Sequence, residues 1–167
     1  MKTKKNITLI GMPAVGKSTV GKLLSQKTGF NFLDADDLIQ SREQKTLAQI
    51  ISDKGLDQFL KIEANHIMSI AFSNHVIATG GSAVYSPKAM KHLSKNSTVV
   101  YLAVDLSTLL TRLSNVISRG VAITPGKSIE DLYKERTPLY DRYCDIKINC
   151  LSMTAEQVVE KTIDYLS

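Results

Sequence analysis

The chain has 167 residues, of which 43% are hydrophobic and 6% aromatic, and its formal net charge at pH 7 is +5. This composition predicts a single domain, residues 1–167, with a sizeable core, and no apolar run reaches transmembrane length. The basic residues are scattered and few aromatic residues accompany them, so anionic small substrates explain the charge as well as nucleic acid does. We therefore expect neither a nucleic-acid nor a membrane partner.

The two cysteines, Cys144 and Cys150, show no metal-ligand spacing, and no secretory signal is recognisable. The basic N-terminus superficially resembles a signal peptide, but Gly11, Pro13 and Lys17 interrupt its apolar run and no plausible cleavage site follows. Reduced thiols without a signal predict a cytoplasmic protein, and we expect it to be a monomer.

The motif that organises the chain follows an apolar run, residues 7–10, and precedes a helical pattern. It matches the P-loop pattern G-x-x-x-x-G-K-[ST], which cradles phosphate on backbone N–H groups and on the positive end of the following helix. Lys17 would reach the β- and γ-phosphates of ATP, and the Ser18 hydroxyl would ligate Mg²⁺. The predicted ATP contacts in this motif are Gly11, Ala14, Val15, Gly16, Lys17, Ser18 and Thr19.

A second strand, predicted over residues 30–33, runs into Asp34 and Asp36. Open α/β sheets bind ligands at the carboxyl ends of strands, and these two residues would face the same side if the strand continued that far. One carboxylate could serve Mg²⁺, directly or through water, and the other could hold and deprotonate a substrate hydroxyl. The alternative is that Asp36 or Asp37 only caps a helix that starts at Leu38.

The middle of the chain predicts two short helices over residues 38–54, a helix with apolar spacing from Phe59 to Ile70, and a buried strand over residues 76–78. Gly80 and Gly81 follow this strand. A double glycine at such a position either permits close approach of the backbone to a ligand or forms a plain turn.

A fourth strand is predicted over residues 99–102 and a helix over residues 106–113. Residues 115–127 then lose all periodicity and include two glycines and a proline. We interpret this segment as a lid that lets Arg119 close over the phosphates. A helix capped by Ser128, a fifth strand over residues 146–149 and a closing helix follow, and this alternation predicts a parallel sheet between helices.

These motifs together resemble the shikimate kinase family, within the nucleoside-monophosphate-kinase-like group of P-loop folds. The resemblance covers nearly the whole chain. Besides the P-loop it rests on Phe32-Leu33-Asp34-Ala35-Asp36, on Gly55 with Phe59 and Glu63, on Ala78-Thr79-Gly80-Gly81, on Arg119 and on Glu135-Arg136-Thr137-Pro138-Leu139-Tyr140. It implies a three-layer α/β/α fold with a five-stranded parallel sheet in the order 2-3-1-4-5. It also implies acceptor-binding helices at about residues 35–63.

The resemblance further implies an ATP-dependent kinase that uses Mg²⁺ and phosphorylates a hydroxyl of shikimate. In the family, the first aspartate of the pair works near the metal and the second binds the substrate hydroxyls. These roles map onto Asp34 and Asp36, respectively. The expected catalytic residues are therefore Lys17, Asp36 and the lid residue Arg119.

The remaining family contacts also map onto single positions. Gly80 and Gly81 would contact the substrate, and Arg136 would grip its carboxylate. Arg112 would contact adenine.

Three positions depart from the family pattern. Leu60 stands where the family has the second of two carboxylate-binding arginines, Ser82 replaces the third glycine of a Gly-Gly-Gly motif, and Gly120 replaces a proline. Leu60 removes half of the carboxylate clamp and leaves room for an ammonium group, with Asp36 or Asp57 as a counter-charge. The acceptor could therefore be another hydroxy acid or a hydroxy amino acid such as homoserine. A nucleotide-binding regulator without phosphotransfer is the remaining alternative.

Overall fold

The computed structural model describes residues 5–113 and 126–167, and its framework is a five-stranded parallel sheet. The strands lie in the order β2-β3-β1-β4-β5, which confirms the predicted topology. Their bounds are Asn6–Ile10 for β1, Asn31–Asp34 for β2, His75–Ala78 for β3, Ser97–Ala103 for β4 and Ile146–Asn149 for β5. Every residue of the central strand β1 is buried, because it pairs on both sides and both faces are covered.

Helices flank this sheet and form the outer layers of the predicted α/β/α fold. A short 3₁₀ turn, Ala83–Tyr85, follows β3. The α-helices are α1 (Lys17–Thr28), α2 (Ala35–Glu43), α3 (Leu47–Lys54), α4 (Leu56–Met68), α5 (Pro87–Asn96), α6 (Leu106–Leu113), α7 (Ile129–Tyr143) and α8 (Ala155–Leu166). In the described part of the chain, none of them is long and apolar enough to cross a membrane.

The start of α2 differs from the expectation. The helix begins at Ala35 rather than Leu38, and Asp34 is its N-cap. The Asp34 carboxylate accepts a hydrogen bond from the Asp36 backbone N–H at 2.9 Å. The interpretation of Asp36 or Asp37 as the cap is therefore wrong, because β2 ends at Asp34 and this side chain reaches the free N–H groups first. Asp34 and Asp36 consequently do not lie on one continuing strand.

The apolar core has two parts. The larger part fills the space between the sheet and its helices. The smaller part, which we call the small cluster, is formed by α2, α3 and α4 and consists of Ile39, Leu47, Ile50, Phe59 and Ile62. Leu60 is half-buried and packs against the small cluster. Helices α2, α3 and α4, which are predicted to bind the acceptor, therefore pack around a separate small hydrophobic core.

The turn at Gly11 yields a test of the fold. Gly11 has φ +147°, and a β-carbon there would lie 2.6 Å from the Leu102 carbonyl oxygen of β4. We expect Gly11→Ala to lower the free energy of unfolding by about 1–3 kcal/mol for the backbone conformation alone, with the clash adding to it. Urea unfolding measures this loss.

Gly29→Ala is the matched control. Gly29 also has a positive φ, +71°, but nothing lies within 4 Å of the position of its β-carbon. Gly29→Ala should lower the free energy of unfolding by about 1–2 kcal/mol, because alanine disfavours the left-handed conformation. A loss at Gly11 no larger than the loss at Gly29 would contradict the steric argument.

Candidate active site

The loop between β1 and α1 presents open backbone N–H groups. Ala14 has φ 64° and Gly16 has φ 103°, and these left-handed conformations turn the chain into α1. The N-cap of α1 is Gly16, which has no side chain to cap the helix, and the first N–H groups of a helix have no intrahelical acceptor. Ser18 and Thr19 are exposed in this first turn. Such a helix start binds phosphate through its N–H groups and its dipole.

Lys17 lies against the beginning of the same loop. Its Nζ donates hydrogen bonds to the carbonyl oxygens of Gly11 at 2.7 Å and Met12 at 2.8 Å. Burial lowers the pKa of Lys17 to about 8, whereas the charges of Asp36 and Asp34 raise it and that of Arg136 lowers it. The sequence-predicted cation of the phosphate site is therefore held in the loop, within electrostatic reach of the predicted acceptor residues.

Ser18 and Asp34 meet beside the loop. The Ser18 hydroxyl donates to Asp34 Oδ2 at 2.6 Å. The pair offers one hydroxyl and one carboxylate. This donor set fits Mg²⁺, which prefers oxygen ligands and usually keeps waters and phosphate oxygens in its remaining positions.

Asp36 lies in the first turn of α2 and faces the turn after β3. A β-carbon built on Gly80 would lie 2.8 Å from Asp36 Oδ1, so the missing side chain at position 80 makes room for the carboxylate. The pKa of Asp36 is raised to about 6, mainly by burial and also by the charge of Asp34, while the charge of Lys17 acts in the opposite direction. A carboxylate whose pKa lies near neutrality is suited to accept a proton from a hydroxyl.

Arg136 lies on α7 and reaches the same turn. Its side chain is fully buried, with 1% relative exposure. A β-carbon on Gly81 would lie 3.0 Å from Arg136 Nη1 and 2.8 Å from Pro13 Cδ. The absence of a side chain at Gly81 therefore lets the P-loop and the predicted carboxylate-binding arginine approach each other. Contact of Gly80 and Gly81 with a substrate stays a prediction.

Tyr85 is a neighbour of Arg136 to which the sequence analysis assigned no role. Arg136 Nε donates to the Tyr85 hydroxyl at 3.0 Å, and its guanidinium carbon lies 5.1 Å from the centre of the Tyr85 ring. The Tyr85 hydroxyl donates in turn to Glu135 Oε1 at 2.6 Å, and Glu135 is paired with Lys127. This chain of contacts fixes the guanidinium and leads to Lys127, the last residue of the predicted lid.

Glu63 is a second residue without a predicted role. It is 2% exposed, and the Ser82 hydroxyl donates to its Oε2 at 2.5 Å. Glu63 Oε2 lies 3.7 Å from the position of a Gly80 β-carbon, so Glu63 and Asp36 flank the same glycine. Burial raises the pKa of Glu63 to about 7; Asp36 also raises it, whereas Ser82 and Arg136 lower it. In the sequence, Glu63 is recognisable only as one of the residues that carry the family resemblance, which gives it no role in the site.

The remaining predicted residues lie apart from this pocket or outside the described ranges. Arg112 on α6 donates to the Val15 carbonyl oxygen at 3.3 Å, which places it beside the P-loop. Arg119 and residues 115–125 of the predicted lid lie outside the described residues. Their roles, and the adenine contact of Arg112, stay predictions.

The raised pKa of Glu63 makes the stability of the protein pH-dependent. A carboxyl whose pKa rises from 4.5 to about 7 on folding stabilises the fold fully below pH 4.5 and loses this contribution as the pH rises through 7. Between pH 5 and pH 8, Glu63→Gln should therefore gain stability relative to the native protein, by up to about 3 kcal/mol. Urea unfolding at both pH values measures the difference.

The exposed Glu156→Gln variant is the matched control and should follow the native pH profile. Parallel profiles for the native protein and Glu63→Gln would show that Glu63 does not titrate in this way.

Comparisons with known proteins agree with this geometry. A family model described as shikimate kinase matches residues 13–167. Shikimate kinase of Sulfurihydrogenibium sp. (strain YO3AOP1) is 37% identical over 160 residues, covering 95% of this chain and 96% of that protein. Threonine synthase-like 1 of Macaca fascicularis is 35% identical over 163 residues, covering 96% of this chain but 22% of that protein. The structure of shikimate kinase from Acinetobacter baumannii in complex with shikimate matches with a TM-score of 0.85 at 27% identity, covering 99% of this chain and 94% of that chain.

These matches confirm the resemblance that the motifs indicated, and they extend over almost the full length of both partners for the shikimate kinases. The P-loop, the Ser18–Asp34 pair and the buried Arg136 occur together in one fold of the matching kind. The chain therefore belongs to the shikimate kinase family, and it is an ATP- and Mg²⁺-dependent kinase that acts on a small-molecule alcohol.

Proposed function

We propose that this protein transfers the γ-phosphate of ATP to a hydroxyl of a small metabolite that carries a carboxylate, with shikimate as the default acceptor. The observation that supports this proposal is the convergence of Asp36 and Arg136 on Gly80 and Gly81, directly beside Pro13 of the P-loop. A buried guanidinium binds a carboxylate strongly and in a defined orientation. A hydroxyl of the same molecule then faces both Asp36 and the phosphates.

The residues divide the work of phosphoryl transfer. Lys17 and the N–H groups of the loop stabilise the charge on the transferring phosphoryl group. The Ser18 hydroxyl and, directly or through water, Asp34 would hold Mg²⁺, which would neutralise further phosphate charge. Asp36 aligns the acceptor hydroxyl and takes its proton as the new P–O bond forms and the bond to ADP breaks.

Two further residues complete the proposed site. Arg112 contacts adenine, and its position beside Val15 is compatible with this role. The lid, about residues 115–127, closes so that Arg119 reaches the phosphates and water is excluded. Closure of this kind limits the wasteful hydrolysis of ATP.

We also propose that the chain acts as a single domain and as a monomer in the cytoplasm, without nucleic-acid or membrane partners. Cys144 and Cys150 are both free thiols, which suits a reducing compartment. Light scattering coupled to size exclusion tests the monomer, and a dimer mass would refute it.

A coupled assay of ADP release tests the proposed reaction. The acceptors are shikimate, homoserine and a panel of related hydroxy acids. We expect ADP release that depends on an acceptor with both a hydroxyl and a carboxylate. Lys17→Ala is the control for a contaminating kinase and should lose about 10²–10³-fold in rate, since one preorganised charge contact is removed. Nucleotide binding without acceptor-dependent release, or near-normal turnover of Lys17→Ala, would contradict the proposal.

Asp36→Asn tests the assignment of the base. The amide keeps the shape of the side chain but cannot take up the hydroxyl proton, so kcat should fall by about 10²–10⁴-fold. Calorimetry should find the affinity for ATP with Mg²⁺ nearly unchanged. If nucleotide binding were lost while the rate at saturation stayed intact, Asp36 would be a metal residue instead.

A further inference from the structure

The 3₁₀ turn after β3 brings Tyr85 against Arg136, the residue proposed to bind the acceptor carboxylate. Arg136 Nε donates to the Tyr85 hydroxyl at 3.0 Å, and the guanidinium carbon lies 5.1 Å from the centre of the tyrosine ring. The first distance is that of a hydrogen bond, and the second is within the range of a cation–π contact. Tyr85 therefore holds the guanidinium both through its hydroxyl and through its ring.

The same turn borders another part of the guanidinium. A β-carbon on Gly81 would lie 3.0 Å from Arg136 Nη1, and the Gly81 carbonyl accepts a hydrogen bond from the Tyr140 hydroxyl at 2.7 Å. The backbone N–H of Tyr85 donates to the Ser82 carbonyl at 3.0 Å and closes the turn. The turn is thus anchored to α7, with Nε of Arg136 directed to Tyr85 and Nη1 beside Gly81.

The Tyr85 hydroxyl is itself oriented by a carboxylate. It donates to Glu135 Oε1 at 2.6 Å, and Glu135 pairs with Lys127. Hydrogen bonds from Lys127 and Tyr85 hold the pKa of Glu135 below its ordinary value, so this carboxylate is ionised at neutral pH. Burial and the bond to Glu135 raise the pKa of Tyr85, so the hydroxyl keeps its proton. The proton therefore points to Glu135, and the oxygen accepts from Arg136.

We propose that Tyr85 is a positioning residue: its hydroxyl and ring hold the Arg136 guanidinium in the orientation that binds the acceptor carboxylate, and Glu135 fixes the hydroxyl. This inference rests on the phosphoryl transfer proposed above and on the role proposed there for Arg136. A long side chain loses rotamer freedom when a ligand immobilises it, and a side chain that is already held loses less. Tyr85 thus raises the affinity for a carboxylate by acting through Arg136.

Position 60 makes the orientation of Arg136 more important. Leu60 stands where the family resemblance implies a second carboxylate-binding arginine, and its side chain packs against the small cluster. The affinity for the acceptor then depends more on the geometry at Arg136. Because a bidentate pair of arginine and carboxylate has a defined geometry, a small rotation of the guanidinium weakens it.

Tyr85→Phe and a matched pair of acceptors test this assignment, since the variant loses the hydroxyl and keeps the ring. Shikimate, or the hydroxy acid of the panel with the highest kcat/KM, is compared with its carboxamide, which keeps every hydroxyl and lacks the negative charge. The KM for the carboxylate should rise about two- to tenfold, the range for one hydrogen bond, with little change in kcat or in the KM for ATP. The KM for the carboxamide should change much less. Calorimetry gives the same comparison as dissociation constants where turnover is slow.

Tyr133→Phe is the matched control. The Tyr133 hydroxyl also makes a hydrogen bond, but to the Val104 carbonyl oxygen, at 2.9 Å, rather than to Arg136. This variant should keep the native ratio of the KM values for carboxylate and carboxamide. Urea unfolding of both variants measures any loss of stability separately from the loss of acceptor affinity.

Glu135→Gln is a second variant, at an exposed position. Its amide oxygen can still accept from the Tyr85 hydroxyl, but the negative charge that strengthens this bond is gone. The KM for the carboxylate should therefore rise, by a smaller factor than in Tyr85→Phe, and the KM for the carboxamide should change less. Glu130→Gln, also exposed on α7, is its control and should match the native protein.

Two results would overturn the inference. One is an unchanged KM for the carboxylate in Tyr85→Phe, and the other is an equal loss with carboxylate and carboxamide, which would indicate a purely structural role. If Tyr85→Phe failed to fold, the same comparison in Glu135→Gln would decide. Equal affinity of the native protein for carboxylate and carboxamide would instead overturn the role of Arg136. Absence of ADP release with every acceptor, despite nucleotide binding, would overturn the proposed phosphoryl transfer.

Discussion

The parallel pairing of β1 with its neighbours determines where the functional groups of this protein lie. Leu9 of β1 is in register with Ala78 of β3, and Ala78 is in register with Asp34 of β2 on its other side. These three strands therefore end at one edge of the sheet, and the chain continues from them into the P-loop, the double glycine and the first turn of α2. Because a slip of one residue would turn every side chain of a strand to the other face, this register keeps the loop and the carboxylates together.

The site gathers four charged groups into a small volume: Lys17, Asp36, Glu63 and Arg136. Burial is the largest influence on the pKa of the first three, and it favours the neutral form of each. The two cations and the two carboxylates favour each other's charged forms and so oppose the effect of burial. This mutual attraction offsets part of the cost of burying the charges. In the proposed reaction, phosphate would offset the charge of Lys17 and the acceptor carboxylate that of Arg136.

The loop between β1 and α1 could be predicted from the sequence because its pattern is local, with glycine, lysine and serine at fixed spacing between a strand and a helix. The sheet order followed from the resemblance to a family. The N-cap of α2 could not be predicted, because Asp34, Asp36 and Asp37 are all suitable N-cap residues. Asp34 takes this position because β2 ends there. The contacts of Glu63 with Ser82 and of Arg136 with Tyr85 join residues 19 and 51 positions apart. Nothing in the local pattern specifies such pairs, since they arise from the packing of α4 and α7 around the turn after β3.

Gly81 has a consequence for how the two substrates influence each other. A β-carbon at this position would lie 2.8 Å from Pro13 Cδ and 3.0 Å from Arg136 Nη1, so only a wall of backbone without a side chain separates the P-loop from the arginine proposed to bind the acceptor. In a close-packed interior, a ligand that shifts one face of such a wall also shifts the other. Thermodynamic linkage then requires reciprocity: whatever affinity the nucleotide lends to the acceptor, the acceptor returns to the nucleotide. If both substrates bind on either side of Gly81 as proposed, the order of their arrival would leave the final complex unchanged, and the substrate that binds first would alter the site that the second one meets.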